Sequence, residues 1–348
     1  KTLLLHAEQG YGDTLQFCRY TRLLAGMGAR LVLEVPRGLV LLMATLEGVV
    51  AVSEQGAPHH PYDYHCPMLS LPLACKTRLD SIPASVPYLK TSAAKRQLWG
   101  QRLHDRLHQQ SGTGKQQPRI GLTWSGNPEH DNDQQRSIPL ATLIQHLPSG
   151  FAYVSLQQEV RPSDRAALEH SGMAHFGADM EDFTDTAALV ELLDLVISVD
   201  TSVAHLAGAL GQETWLLLPY VPDWRWLLGR EDSPWYPSMK LWRKAADQQW
   251  APVLQRVAEA LHGKTFAASV PLAAPLAARI AAPAQAAAPF APPKVMPPPA
   301  TPFTKPPAPP PATPPANPSA NPSAVAALFS QGLALHQQGQ FAPAQAIY

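Results

Sequence analysis

Asp200, Thr201, Ser202 and His205 stand where one apolar pattern gives way to another. Before them runs Leu195-Val196-Ile197-Ser198-Val199, a short β-branched stretch that reads as a buried strand. After them Val203, Leu206, Ala207 and Leu210 recur at helical spacing, and Gly211 stops the helix. A strand, a polar turn and a helix start put free backbone N–H groups at the strand end. In an open α/β sheet that crevice takes ligands, and the first turn of a helix suits a phosphate. A plainer reading stands beside it: Thr201 or Ser202 caps the helix, worth about 1 kcal/mol, and His205 is a half-buried histidine.

Other residues have chemistry open to them. Asp13 follows the loop AEQGYGD, where Gly10 and Gly12 supply the backbone turn; with Gln16 three residues on, the local pattern is a capping box. Trp124, Ser125, Gly126 and Asn127 follow an apolar strand and are placed to line a crevice, Gly126 allowing close backbone approach. Asp185 and Thr186 open a helix, as an N-cap or as a nucleoside contact. Trp224, Arg225, Trp226, Trp235 and Tyr236 share a loop with Asp223, and their rings either stack on a sugar or base or pack the loop. His59, His60, His65 and Cys66 lie close together, but on a strand His65 and Cys66 point to opposite faces, so no metal site is expected.

These residues need a scaffold, and the order of elements supplies one. Strands are expected at 2–6, 29–36, 49–54 and 62–66, with helices at 14–28 and 38–46, then a polar helix at 91–110. A second run begins with the strand 119–124 and the polar loop 125–137. It continues through helices at 139–147, 162–172, 186–194 and 203–210, and strands at 151–157, 173–176, 195–200, 214–219 and 239–244. Alternating β and α implies two parallel sheets covered by helices. The expected divisions are 1–112, 118–263, a Pro/Ala-rich linker over 264–323 and a last segment over 324–348. The linker has no Asp or Glu and cannot bury a core. In the last segment Leu328, Gly332, Leu335, Gly339, Phe341, Ala344 and Tyr348 fall at the spacing of a tetratricopeptide repeat. One such repeat needs stacked neighbours, so the segment is expected to continue into a larger array that recruits protein partners.

Composition removes some classes. The chain has 348 residues, and Lys+Arg and Asp+Glu both total 27. That balance argues against nucleic-acid binding, which needs a basic face. Three cysteines without zinc spacing point to a reducing, cytoplasmic compartment. No transmembrane segment is expected, which leaves a peripheral place at an inner membrane open. The chain starts at Lys1 and enters a strand at once, as a piece lacking its native start would.

Taken together, Gly12-Asp13, the strand and loop RIGLTWSGN, and VDTSVAHLAGALG resemble glycosyltransferase family 9, the ADP-heptose:lipopolysaccharide heptosyltransferase-like proteins. WSGNPEHDNDQQRSIPL, DFTDTAALVELLDLVISVDTSVAHLAGALG, PDWRW and SPWYP are similar to members fused to tetratricopeptide repeats. The resemblance covers about residues 2–262. It implies a GT-B fold, two Rossmann-like domains facing across a cleft, the first for the acceptor and the second for the donor. It implies an inverting transfer of a heptose-like sugar from a nucleotide-diphospho-sugar to a glycan or protein; no cofactor is expected, and no metal, because Arg136 and the helix start can neutralise the phosphates. Asp13 matches the acidic catalytic residue, which takes the acceptor's proton. Asp200, Thr201, Ser202 and His205 match the donor-phosphate motif, where the family usually has Gly in place of Ser202. Arg136 stands near a basic residue that faces the diphosphate, where a fixed cation offsets growing charge; its plainer reading is a solvated arginine beside Asp131 and Asp133. Trp124 to Asn127 belong to the same donor side, with Asp185, Thr186, Asp223 and Trp224 nearby. Two other classes stay open: a non-catalytic repeat scaffold on a degenerate GT-B core, and an epimerase of similar build.

Overall fold

The computed structural model describes residues 1–58, 60–111, 117–246 and 249–266. All of them fall within one compact unit. The linker beyond Phe266 and the repeat-like segment 324–348 lie outside the described residues.

The first lobe starts with β1 (Thr2–His6), α1 (Tyr11–Phe17) and α2 (Tyr20–Gly26). A single helix is expected over 14–28, but the chain breaks between Phe17 and Tyr20. There the Arg19 Nε donates to the Gln16 carbonyl at 2.8 Å and the Thr21 hydroxyl to the Cys18 carbonyl at 2.8 Å. Carbonyls held by side chains no longer anchor the next helical turn. Next come β2 (Arg30–Val35), a 3-10 turn, α3 (Val40–Met43), β3 (Val49–Glu54), β4 (Tyr64–Pro67) and α4 (Leu71–Ala74). The four strands are parallel in the order β3-β2-β1-β4. Helix α5 (Ala93–Ser111) follows and packs on the second lobe.

The second lobe runs β5 (Arg119–Thr123), α6 (Asp133–Arg136), α7 (Leu140–Ile144), β6 (Ala152–Ser155), α8 (Pro162–His170), β7 (Ala174–His175) and α9 (Phe183–Val190). It finishes with β8 (Leu195–Val199), α10 (Ser202–Ala209), β9 (Thr214–Leu218), a 3-10 turn (Trp224–Trp226), β10 (Met239–Arg243) and α11 (Ala251–Gly263). The strand order is β10-β9-β8-β5-β6-β7, all parallel. Every residue of β5, β8 and β9 is buried, which explains their continuous apolar runs. The order reverses between β5 and β8, paired Leu122 to Ile197 and Thr123 to Ser198. A doubly wound sheet opens its crevice at that reversal.

One continuous core crosses both lobes. Leu5, Leu15 and Phe17 of the first pack in one cluster with Ala204, Leu206, Leu216, Trp226 and Tyr236 of the second. Arg19, 3% exposed, joins them as a buried cation. It donates to the Trp235 carbonyl (2.6 Å) and the Tyr88 hydroxyl (3.0 Å), and lies 4.6–5.3 Å from the rings of Tyr236, Tyr88 and Trp235. The lobes are therefore in direct contact where α1 meets α10. Among the described residues no helix is long and apolar enough to cross a membrane.

Candidate active site

The crevice between the ends of β5 and β8 is built around the start of α10. Thr201 holds the N-cap position with extended backbone (φ −141°, ψ 172°), yet no side chain caps the helix. Its hydroxyl pairs with Ser198 Oγ at 3.3 Å instead. No side chain thus takes up the first-turn N–H groups, and the side-chain cap expected of Thr201 or Ser202 is not made. Ser202, half-buried, opens the helix, and among the described residues its hydroxyl has no partner.

The polar segment after β5 folds back onto this turn through α6. Asp133 is buried and accepts from Ser137 Oγ (2.8 Å) and Arg161 Nη2 (2.5 Å), and it lies 3.7 Å from Arg136 Nε. Arg136 is no solvated arginine: its side chain is 13% exposed, and its Nη1 donates to the Asp200 carbonyl at 2.8 Å. Gly126 lies against it. A Cβ there would stand 2.5 Å from Arg136 Nη2, so only glycine fits beside the guanidinium as placed.

Asp13 enters from the other lobe. Gly10 is the N-cap of α1, and Asp13 is the third helical residue, so the capping box is not formed. Gln16, its expected partner, is buried with neither amide atom hydrogen-bonded. The Asp13 carboxylate instead accepts from Arg225 Nη2 at 2.6 Å. Gly12 is helical rather than a turn residue: a Cβ would lie 2.9 Å from His205 Cδ2 and 3.7 Å from Ser202 Cα. Its missing side chain lets the first turns of α1 and α10 touch, which brings Asp13 to the crevice.

Arg225 comes from the 3-10 turn. Asp223 caps that turn by accepting from the Arg225 N–H at 3.1 Å, and Trp226 Nε1 donates to Asp200 Oδ2 at 2.8 Å. Burial, with Asp223 adding to it, pushes the Asp200 carboxyl up to about 6. Arg136 and Arg225 therefore flank the α10 turn, with Arg161 behind Arg136 on Asp133, and each of the three keeps a buried Nε with no hydrogen-bond partner. Unpaired buried donors on cations are costly unless an acceptor joins them.

His205 corrects an expectation. Its ring is 2% exposed, stacks on Trp226 at 5.3 Å and shares a 2.8 Å hydrogen bond between Nδ1 and Tyr236 Oη. Its Nε2 lies 3.9 Å from Asp200, and its ring packs against Gly12 of α1. Burial, then the charges of Arg225, Arg19 and Arg136, holds the imidazole well below its usual 6.5. Below pH 6.5 the unfolded chain takes a proton that folded His205 refuses, so this group costs stability as the pH falls. Asp200, raised to about 6 from 3.8, acts oppositely below pH 6. In His205→Gln the first effect vanishes. Its stability relative to the parent chain is expected to rise as the pH falls from 7.5 to 5. Denaturant titrations at the two pH values read this directly, and a pH-independent difference would mean that His205 titrates normally.

Other expected residues belong to the framework. Trp124 is fully buried and donates to Asp164 at 2.9 Å, and Ser125 is buried with its N–H on Gln157. Asn127 is exposed and turns its own loop by accepting from the Glu129 N–H at 3.0 Å. Asp185 is not the cap: Asp182 caps α9. Asp185 accepts from Lys95 (2.5 Å), Trp99 (2.8 Å) and the Glu181 N–H (3.1 Å), tying α5 to α9. Thr186 is buried against Met180. In the aromatic loop Trp226, Trp235 and Tyr236 are buried packing, whereas Trp224 is 55% exposed, edge-on to Trp235 at 6.2 Å. Among the described residues no three His, Cys, Asp or Glu side chains are grouped to hold a metal.

No protein-family profile matches the chain. Protein FlbA of Caulobacter vibrioides is 28% identical over 294 residues, 77% of this chain. The chain spans 47% of that relative's length. Among solved structures, the family 9 glycosyl transferase of Veillonella parvula superposes with a TM-score of 0.50 at 10% identity, over 70% of this chain and 86% of that one. The two share a fold. It is the GT-B kind of α/β fold, with two parallel sheets. The ADP-heptose lps heptosyltransferase II of E. coli superposes with a TM-score of 0.49 at 12% identity, over 76% of this chain and 98% of its own.

Proposed function

We propose that this chain is an inverting glycosyltransferase of the family 9 type, taking a heptose-like sugar from a nucleotide-diphospho-sugar. One observation carries the reading. Asp13 from one lobe meets the uncapped start of α10 from the other, amid guanidinium groups that keep unpaired donors. The donor's diphosphate would sit on the first turn of α10, with Arg136 and the Ser202 hydroxyl beside it. Trp224 would stack on the sugar or base. Asp13 would take the proton of the acceptor hydroxyl as it attacks the anomeric carbon. A placed general base contributes about 10²–10⁴-fold, and fixed cations stabilise the leaving diphosphate. In this reading the reaction needs no metal, because arginines and the helix start neutralise the phosphates; chelator-treated protein should keep its rate. The acceptor is a glycan or a protein side chain, and the segment 324–348 would bring protein partners in the cytoplasm.

The test is calorimetry with a panel of ADP- and UDP-sugars, followed by product analysis. Micromolar binding of at least one donor, and sugar found on an acceptor, is expected. A folded sample that binds none of them would leave the repeat scaffold as the better reading.

A further inference from the structure

The proposed base is not free in this structure. Arg225 Nη2 sits on one oxygen of Asp13 at 2.6 Å, and its Nε lies 3.4 Å from Asp223. The other guanidinium groups are committed as well, Arg161 to Asp133 and Arg136 to the Asp200 carbonyl. Four carboxylates, Asp13, Asp133, Asp200 and Asp223, thus face three guanidinium groups. An incoming diphosphate adds two more negative charges and competes with these carboxylates for the cations.

Arg225 is the cation best built to move. Its backbone is fixed on both sides. Asp223 caps the turn, Trp226 Nε1 is held by Asp200, and Arg243 Nη2 donates to the Trp226 carbonyl at 2.6 Å. The side chain, 12% exposed, has the exposed Trp224 ring at 5.2 Å on one side, and its Nε makes no hydrogen bond that has to be broken. A fixed root with a swinging guanidinium can pass between two acceptors a few ångströms apart without moving the fold.

We infer that Arg225 covers Asp13 in the empty site and transfers to the donor's diphosphate when the donor binds, uncovering the base only once a leaving group is present. This rests on the diphosphate reading above. In the step that follows, the acceptor oxygen bonds to the anomeric carbon as the bond from that carbon to the β-phosphate oxygen breaks. Its electron pair stays on the nucleoside diphosphate, and the acceptor proton goes to the Asp13 carboxylate. Arg225 then faces the added charge of the leaving group.

The test is a double-mutant cycle on binding in the full chain, with ADP, UDP and inorganic pyrophosphate as probes. Arg225→Gln should weaken the probe that binds by about tenfold or more, while Arg225→Lys, which keeps the charge, loses less. Asp13→Asn should tighten it severalfold, because Arg225 no longer has to leave a carboxylate. That gain should vanish in the Asp13→Asn/Arg225→Gln pair, which a merely structural role for Arg225 would not produce. If Arg225→Gln fails to fold, the gain in Asp13→Asn decides alone. Binding in the parent chain with no gain in Asp13→Asn overturns the transfer of Arg225 and leaves the diphosphate reading intact. No binding of any probe to the folded parent chain overturns both.

Discussion

Asp13→Asn is expected to lower sugar transfer by about 10²–10⁴-fold while the protein stays folded. The amide keeps the shape of the carboxylate but cannot accept the acceptor's proton, so the nucleophile must attack as a neutral hydroxyl. The fold should tolerate the change because the amide fills the same space and Arg225 still lies 3.4 Å from Asp223. The contact between α1 and α10 depends on Gly12, not on the carboxylate. Initial rates with the donor found by calorimetry, beside circular dichroism of the variant, give the two readouts. A loss in kcat with donor affinity kept or improved is the pattern of a missing base. Transfer at the parent rate in Asp13→Asn would remove Asp13 from the chemistry.

Much of the frame was legible because the pattern along the chain and the contacts in space coincide. Strand β8 and helix α10 stand out since five buried positions in a row are followed at once by helical spacing. What is governed by distant parts of the chain could not be seen in this way. Arg225 and Asp13 are 212 positions apart, and their ion pair exists only because two lobes share one core. Arg161 sits at the start of a helix whose sequence reads as surface, yet its guanidinium turns inward to Asp133. His205 fits a ligand-facing position by its place one turn into α10. Tyr236 and Trp226, thirty-one and twenty-one residues later, close over it. The break between α1 and α2 is set by the Arg19 and Thr21 side chains capturing carbonyls, a competition that apolar periodicity does not register. Gly12, expected as a turn residue, and Gly126, expected to allow close backbone approach, each make room for a side chain from elsewhere, His205 and Arg136.

Gly126→Ala should separate donor binding from folding more cleanly than removing an arginine. The new methyl carbon would lie 2.5 Å from Arg136 Nη2, 2.8 Å from its Cζ and 3.0 Å from its Nε. These atoms end a flexible side chain, so the clash is relieved by Arg136 swinging away, not by the backbone shifting. Stability should therefore change by less than about 1–3 kcal/mol, the usual cost of overpacking a rigid core. What is lost is the 2.8 Å hydrogen bond from Arg136 Nη1 to the Asp200 carbonyl, and with it the cation beside the start of α10. Diphosphate affinity is then expected to fall by about tenfold, the worth of one charge-assisted contact. Arg136→Ala should fall at least as far, and the Gly126→Ala/Arg136→Ala pair no further than Arg136→Ala alone, because one guanidinium can be lost only once. Calorimetry with the same nucleoside diphosphate across the three variants reads the cycle. Losses that add in the pair would mean that Gly126 shapes the site by itself, and unchanged affinity in Arg136→Ala would place the diphosphate elsewhere on the crevice.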